Sequence, residues 1–181
     1  RVCYLTGTDE HGLKIERTAR KRGLSAQQLT DQNAAAFHDV WEKMQLRFDA
    51  VIRTTDPKHV EAVQTIFKRI QDNGYIYLGE YSGQYCVRDE AYVANDTDVC
   101  PDCGGKTEFI REETYFFKLS AFQDRLAAFY HDNPDFVIPG SRMNEIVSFV
   151  VRGLKDISIS RTSFSWGIPV PQDDKHIFYV W

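Results

Sequence analysis

Apolar positions recur at two different spacings along the first 74 residues of the chain. Val2, Cys3, Tyr4 and Leu5 form a compact β-branched and aromatic run ending at Thr6-Gly7, the pattern of a buried strand that meets a turn. Leu13 to Arg22 favour helix, and Gly23 is a good stop because glycine enters the left-handed conformation without strain. Ser25 with Gln28 three positions on is a capping box. Leu29, Ala36, Phe37, Val40, Trp41 and Met44 then recur at helical spacing, which predicts a helix over about 26–44. Residues 48–52 read as a strand, and Asp56-Pro57 caps a helix whose stripe is Val60, Val63, Ile66, Phe67 and Ile70, stopped at Asn73-Gly74. Strands alternating with helices in this way predict an α/β fold with a parallel sheet.

The texture changes at Tyr75. Short aromatic and β-branched runs at 75–78, 84–87, 107–110 and 114–119 alternate with Gly79, Gly83 and Gly104-Gly105, which predicts a small antiparallel module. Ser120 is placed to cap a helix containing Phe122, Leu126, Phe129 and Tyr130, closed by Asn133-Pro134. Ser141 is placed to cap another, running through Ile146, Phe149 and Val150 to Gly153. Ile157, Ile159 and residues 176–181 return to strand-like sequence.

Composition narrows the class. With 43% hydrophobic and 27% charged residues in 181, the chain has the material for a packed core and lacks the signature of disorder. No apolar stretch approaches the roughly 18 residues of a membrane span, so none is predicted. Twenty-two basic against 26 acidic side chains, a net charge of −4, argue against wholesale wrapping of nucleic acid. The four cysteines are too few for a secreted disulfide scaffold, which points to a reducing, cytoplasmic or organellar compartment. The chain opens at Arg1 inside one strand-like run and stops at Trp181 inside another, and reads as an excised piece.

Four segments carry candidate chemistry. Gly7-Thr-Asp9-Glu10-His11-Gly12 lies where a strand gives way to a helix, the place from which parallel sheets present side chains to ligands. There Asp9 can pair with a ligand cation and His11 can donate to an oxyanion; the alternative is an ordinary turn in which Asp9 or Glu10 stabilises the next helix end. Arg17, Arg20, Lys21 and Arg22 make either a phosphate-contacting face or a solvated helix surface. Cys100-Pro-Asp-Cys103 has the two-residue gap that aims two thiolates at one metal ion, and Cys86-Val-Arg-Asp89 repeats the gap with a carboxylate in place of one thiol. Three cysteines and an aspartate can hold zinc; a relic knuckle held by hydrogen bonds or a redox pair are the alternatives. In Asp156-Ile-Ser158-Ile-Ser160-Arg161 the polar residues share a strand face, and Arg161 forms either a phosphate or carboxylate clamp or a surface salt bridge. The run Phe178, Tyr179, Trp181 is either core or the wall of an apolar pocket.

Taken in order, Gly7-Thr-Asp-Glu-His-Gly12, Phe48-Asp-Ala-Val-Ile-Arg-Thr-Thr55, Tyr115-Phe-Phe, Asp156-Ile-Ser-Ile-Ser-Arg161, Trp166-Gly-Ile-Pro169 and Tyr179-Val-Trp181 resemble the bacterial or organellar methionyl-tRNA synthetases over the whole chain. The resemblance implies a class I catalytic domain, a doubly wound parallel-sheet (Rossmann-like) nucleotide-binding fold that is incomplete here. Residues 1–74 and 155–181 would be its two parts, and 75–154 the β-rich and helical connective-peptide insertion, with a knuckle region at 84–107. It implies adenylation of methionine by ATP with Mg2+, then transfer to the tRNA for methionine. Asp9 and Arg161 would be catalytic, with Asp9 holding the methionine ammonium; His11 would bind substrate and Trp181 would line the side-chain pocket. Cys86, Asp89, Cys100 and Cys103 would hold zinc. The family's His-Ile-Gly-His and Lys-Met-Ser-Lys-Ser signatures would lie before Arg1 and after Trp181, so the remainder of the synthetase chain is an expected partner, no membrane is, and the 181 residues alone are expected to be inactive. Rival readings are a non-catalytic zinc-knuckle binding module and a related class I synthetase for isoleucine, valine or leucine, which would carry a longer insertion.

Overall fold

The computed structural model describes residues 2–89, 91–93 and 97–178. Strand β1 (Leu5–Thr8) lies parallel to β2 (Ala50–Arg53), with Leu5 opposite Ala50 and Thr8 opposite Arg53. Helices α1 (Leu13–Arg22) and α2 (Ala26–Lys43) connect them. Gly7 allows the close approach of the two strands, because a Cβ there would sit 2.1 Å from the Ile52 carbonyl oxygen. The capping box at the start of α2 forms in full, the Ser25 hydroxyl accepting from the Gln28 amide while the Gln28 side chain accepts from the Ser25 amide. Gly23 closes α1 in the left-handed conformation.

Helix α3 (Pro57–Asp72) starts where Asp56-Pro57 predicts, yet the Asp56 carboxylate does not cap it; it turns back to accept from the Arg53 amide at 2.9 Å. Val60, Val63, Phe67 and Ile70 of this helix pack with Ile76, Ile168, Val170 and Phe178 in the first core cluster. Ile66, assigned to the same stripe, is instead exposed, since it stands about 100° around the helix from Phe67. Of the stripe expected on α2 only Leu29 is buried; Ala36, Phe37, Val40 and Met44 are exposed, and the helix's other buried residues, Thr30 and Ala34, lie outside that stripe.

The short runs after Tyr75 are halves of two long strands. β3 (Ile76–Cys86) and β5 (Glu108–Phe117) pair antiparallel from Ile76 opposite Phe117 to Tyr85 opposite Glu108; β4 (Ala91–Tyr92) flanks β3, and β6 (Ile157–Ser158) flanks β5. Gly79 and Gly83, expected to punctuate, instead sit within β3 and leave room for rings: a Cβ on Gly79 would come within 3.0 Å of Phe116, and one on Gly83 within 3.4 Å of Tyr81 and Tyr92. Neither expected serine cap forms. A 3₁₀ turn (Leu119–Phe122) leads into α4 (Gln123–Asp132), and the Ser120 hydroxyl donates to Asp156 at 2.6 Å; α5 (Gly140–Val151) follows Pro139 with no side-chain cap.

The stretch 156–161, expected as one strand, divides at Ile159. β6 joins the β3–β5 sheet, whereas β7 (Ser160–Arg161) pairs with β9 (Asp173–Phe178), which in turn pairs with β8 (Ile168–Val170). The fold is α/β, and its parallel component among the described residues is the β1–β2 pair, the other two sheets being antiparallel. A second core cluster, of Leu13, Tyr85, Phe164 and Ile177, joins α1, the β3 strand and the returning segment.

Candidate active site and cysteine knuckle

The turn after β1 is organised by Glu10, which sequence reading weighed only as a helix-end stabiliser. Its side chain is buried and does not serve α1, whose N-cap is Gly12. It accepts instead from Arg53 at 2.7 and 2.9 Å, from the Thr8 hydroxyl at 2.6 Å and from Thr55, while its own amide donates to Thr54. Burial pushes the Glu10 carboxyl up, but the bonds from Arg53, Thr55 and Thr8 outweigh it and hold the group below its ordinary range. Arg53 also reaches Asp31 on α2 at 2.6 Å, so one ion network ties β1, β2 and α2 together.

With Glu10 pinned, its two neighbours stand outside that network. Asp9 is exposed at the C-terminal end of β1. His11 is partly buried, and its Nδ1 atom has no hydrogen-bond partner among the described residues. Burial lowers the His11 pKa from 6.5 against the pull of Asp9 and Glu10, so the ring is neutral at neutral pH. It leans on Trp166, ring centroids 5.4 Å apart.

Trp166 lies about 150 residues away in sequence and belongs to the loop after β7. The Trp166 indole donates to the Glu10 carbonyl, the Gly12 amide donates to the Trp166 carbonyl at 3.2 Å, and Glu16 accepts from the Ser165 and Trp166 amides at 2.9 and 3.1 Å. The loop that follows the Ser-Ile-Ser-Arg segment is thereby fastened to the Gly-Thr-Asp-Glu-His turn through Trp166. Ser158 and Ser160 both bond Thr114, as their shared face predicts, whereas Asp156 binds Ser120 and Tyr77. Arg161 is not on the surface. It is buried, donates to Ser158 and to the Ser160 carbonyl at 2.7 Å each, has Nε 3.4 Å from Glu112, and lies 5.0 Å from the Tyr92 ring centre. Trp181 lies outside the described residues; β9 runs toward it, anchored by the fully buried His176, whose Nδ1 lies 2.8 Å from Asp173.

The basic face of α1 divides. Arg17 grips Glu108 through two bonds of 3.0 Å and Arg20 pairs with Glu16 at 3.5 Å, which fits the solvated-surface reading better than a phosphate grip.

Cys86, Asp89, Cys100 and Cys103 come together with all four ligand atoms within 4.8 Å of one another. The Cys86 and Cys103 sulfurs are 3.5 Å apart, and an Asp89 oxygen stands 3.0 Å from Cys100 and 3.7 Å from Cys86. A tetrahedral zinc with bonds near 2.3 Å to sulfur and 2.0 Å to oxygen requires ligand separations of about 3.5–3.8 Å, so the donor set fits with little adjustment. The Asp89 amide points at Cys86 and the Gly105 amide at Cys103, both at 3.4 Å, the outer bonds that stabilise metal-bound thiolates. Without a cation the Asp89 carboxylate drives the Cys100 and Cys103 thiols toward protonation, Cys103 being pushed up to about 12.

Sequence reading missed Glu112 altogether. The period-2 alternation of β5 places it on the inner face with Ile110 and Thr114, which was the available signal, but a charged residue there reads as solvent-facing.

Comparison with known proteins shows the family. The model of a family described as tRNA synthetases class I (M) matches residues 1–108 and 100–181. A methionine–tRNA ligase of Mesorhizobium japonicum is 51% identical over 187 residues, covering 99% of this chain and 36% of the relative. One from Caldanaerobacter subterraneus is 47% identical, covering 99% of this chain and 29% of the relative. Among solved structures, Mycobacterium tuberculosis methionyl-tRNA synthetase bound by methionyl-adenylate superposes with a TM-score of 0.91 at 45% identity, over 100% of this chain and 37% of that one. The chain thus spans about a third of the length of the relatives it matches. The likeness runs through both ends as well as the knuckle, which disfavours a free-standing knuckle module, and the relatives are named for methionine. On these grounds the chain belongs to the class I tRNA synthetases of the methionine type.

Proposed function

We propose that this chain carries the amino-acid-recognising part of a methionine–tRNA ligase, which joins methionine to its tRNA through methionyl-adenylate. The observation that carries the reading is the docking of Trp166 on the β1–α1 turn, beside His11, in a fold that superposes on an adenylate-bound synthetase. In the reaction the methionine carboxylate attacks the α-phosphorus of ATP, supplied with Mg2+, and pyrophosphate leaves; the ribose hydroxyl of the tRNA terminus then displaces AMP. Little covalent work falls to the protein, so its contribution is orientation and charge balance.

Asp9, exposed and without a side-chain hydrogen bond among the described residues, orients the ammonium and so aims the carboxylate. Neutral His11 offers a hydrogen bond from a partly buried ring without competing for the ammonium. Arg161, held by Ser158, the Ser160 carbonyl and Glu112, contributes a fixed guanidinium to that charge balance. Trp181, by the family resemblance, lines the thioether pocket. Zinc at Cys86, Asp89, Cys100 and Cys103 would supply a structural cross-link. Among the described residues no helix is long and apolar enough to cross a membrane, which fits a cytoplasmic synthetase, as does the bacterial source of the relatives. Methionine-dependent exchange of labelled pyrophosphate into ATP by the complete enzyme tests the reading. Exchange is expected with methionine and not with isoleucine, valine or leucine; the reverse preference would overturn it.

A further inference from the structure

A second buried carboxylate, Glu112 on β5, stands between the β3–β5 sheet and the loop that closes on the β1–α1 turn. One oxygen accepts from the Thr162 and Ser163 amides at 3.0 and 3.2 Å; the other accepts from the Tyr92 hydroxyl at 3.0 Å and lies 3.4 Å from Arg161 Nε. Both oxygens thus face donors only, a demand an ionised carboxylate meets and a carboxamide does not. The Tyr92 ring completes the cage beneath the guanidinium, and Tyr92 lies on β4, beside the Cys86–Ala91 pairing at the edge of the knuckle. Two residues beyond Ser163, the Ser165 amide reaches Glu16 and the Trp166 indole reaches Glu10.

We propose that Glu112 is a positioning residue for amino-acid activation: it sets the Arg161 guanidinium and the 162–163 backbone, and through them the loop that closes against Glu10 and His11. The proposal rests on the methionine-activation reading above. It gives the ribbon before the helices a part in the chemistry, because the carboxylate that places a site arginine comes from β5 and is itself held by β4.

The test uses the complete enzyme. Glu112→Gln keeps size and shape but sets an amide donor against the loop amides or against Tyr92 and Arg161. It is expected to lower kcat/KM for methionine in pyrophosphate exchange by at least about tenfold, the scale of one lost charge-assisted bond, with KM for ATP moving much less. Tyr92→Phe, which removes a single hydroxyl, is expected to move the methionine parameter the same way by a smaller factor. In an Arg161→Lys background Glu112→Gln should cost little more, because the two act as one unit. Unchanged methionine kinetics in Glu112→Gln, losses shared equally by methionine and ATP together with a lowered melting temperature, or additivity with Arg161→Lys each overturn the proposal. Should Glu112→Gln fail to fold, Tyr92→Phe decides, and normal methionine kinetics there overturn it. A wild-type enzyme that does not activate methionine removes the underlying reading as well, which separates the two failures.

Discussion

Replacing Glu10 by glutamine should loosen the β1–β2 pair by an amount that follows from its bonds. In either amide orientation two of the four side-chain donors around Glu10 would face an NH2 group: Thr8 and Arg53 Nε on one side, or Thr55 and Arg53 Nη2 on the other. Two charge-assisted bonds at about 1.5–3 kcal/mol each set the upper bound. The Arg53 side chain is 26% exposed and keeps Asp31 as a second partner, so a net loss of about 2–4 kcal/mol is the reasonable expectation. Hydrogen exchange on the complete protein reads this locally. The Thr54 amide, which donates to the Thr8 carbonyl, and the amides of β1 and β2 should exchange roughly 30- to 900-fold faster. The parent should also show a stronger pH dependence than the variant. A carboxyl whose folded pKa lies below its unfolded value, here 4.5, gives stability that is full above that value and is lost as pH falls through the folded one. Protection of β1–β2 should therefore decline below about pH 4.5 in the parent and decline less in Glu10→Gln, where Asp31 is the remaining carboxylate that Arg53 holds below its ordinary range. Equal exchange in the two proteins would mean that Glu10 is a spectator and that something else holds the turn.

Three further outcomes follow from the same geometry. Asp9→Ala should abolish most methionine-dependent pyrophosphate exchange while circular dichroism and melting stay unchanged, because the exposed carboxylate has no side-chain hydrogen bond among the described residues and its loss removes about 1.5–3 kcal/mol or more from ammonium binding; near-normal exchange sinks that role. Protein purified without chelator should contain close to one zinc per chain by elemental analysis, and Cys100→Ser should lose it; a content near zero, with Cys100→Ser folding normally, leaves only a hydrogen-bonded knuckle. Gly7→Ala should destabilise by about 3 kcal/mol, the upper end for overpacking, because the new methyl meets backbone 2.1 Å away and has no flexible side chain to displace; a melting temperature within a degree of the parent would contradict the strand spacing.

Legibility in the sequence followed the range of the interaction involved. α1, α2 and α3 could be placed closely because their ends are written locally, in Gly23, in Ser25 with Gln28, and in Asp56-Pro57. β3 and β5 were divided because Gly79 and Gly83 look like punctuation until the rings of Phe116, Tyr81 and Tyr92 are seen to occupy the space a Cβ would need. The segment 156–161 showed its alternation but not its change of partner, since nothing in Ser158 or Ser160 says which sheet receives it. Within the site, ordered motifs located Asp9 and Arg161 through family likeness, and metal-ligand spacing located Cys86, Asp89, Cys100 and Cys103. Glu10 and Glu112 escaped for a shared physical reason: a carboxylate reads as surface unless its donors are known, and apart from Thr8 those donors lie 43 to 45 residues away for Glu10 and 20 to 51 for Glu112.

The closure of residue 166 on residue 10 also explains how so long a segment can stand between two halves of one site. Loop-closure entropy grows only logarithmically, each doubling of length costing about 0.6 kcal/mol, so the 80 residues from 75 to 154 add little to the penalty of bringing the halves together. Against that stand three Glu16 and Trp166 hydrogen bonds and a shared apolar cluster. The cluster matters most, because Leu13 comes from before the segment, Tyr85 from within it, and Phe164 and Ile177 from after it. A segment that merely looped out would leave Leu13 and Phe164 facing water. Tyr85 fills that gap, the Arg17–Glu108 pair fastens the same junction from the side, and Glu112 reaches through it to Arg161. The strands of the 75–154 segment therefore form one wall of the junction, and changes in them are expected to register at the proposed amino-acid site even where no residue of the segment touches substrate.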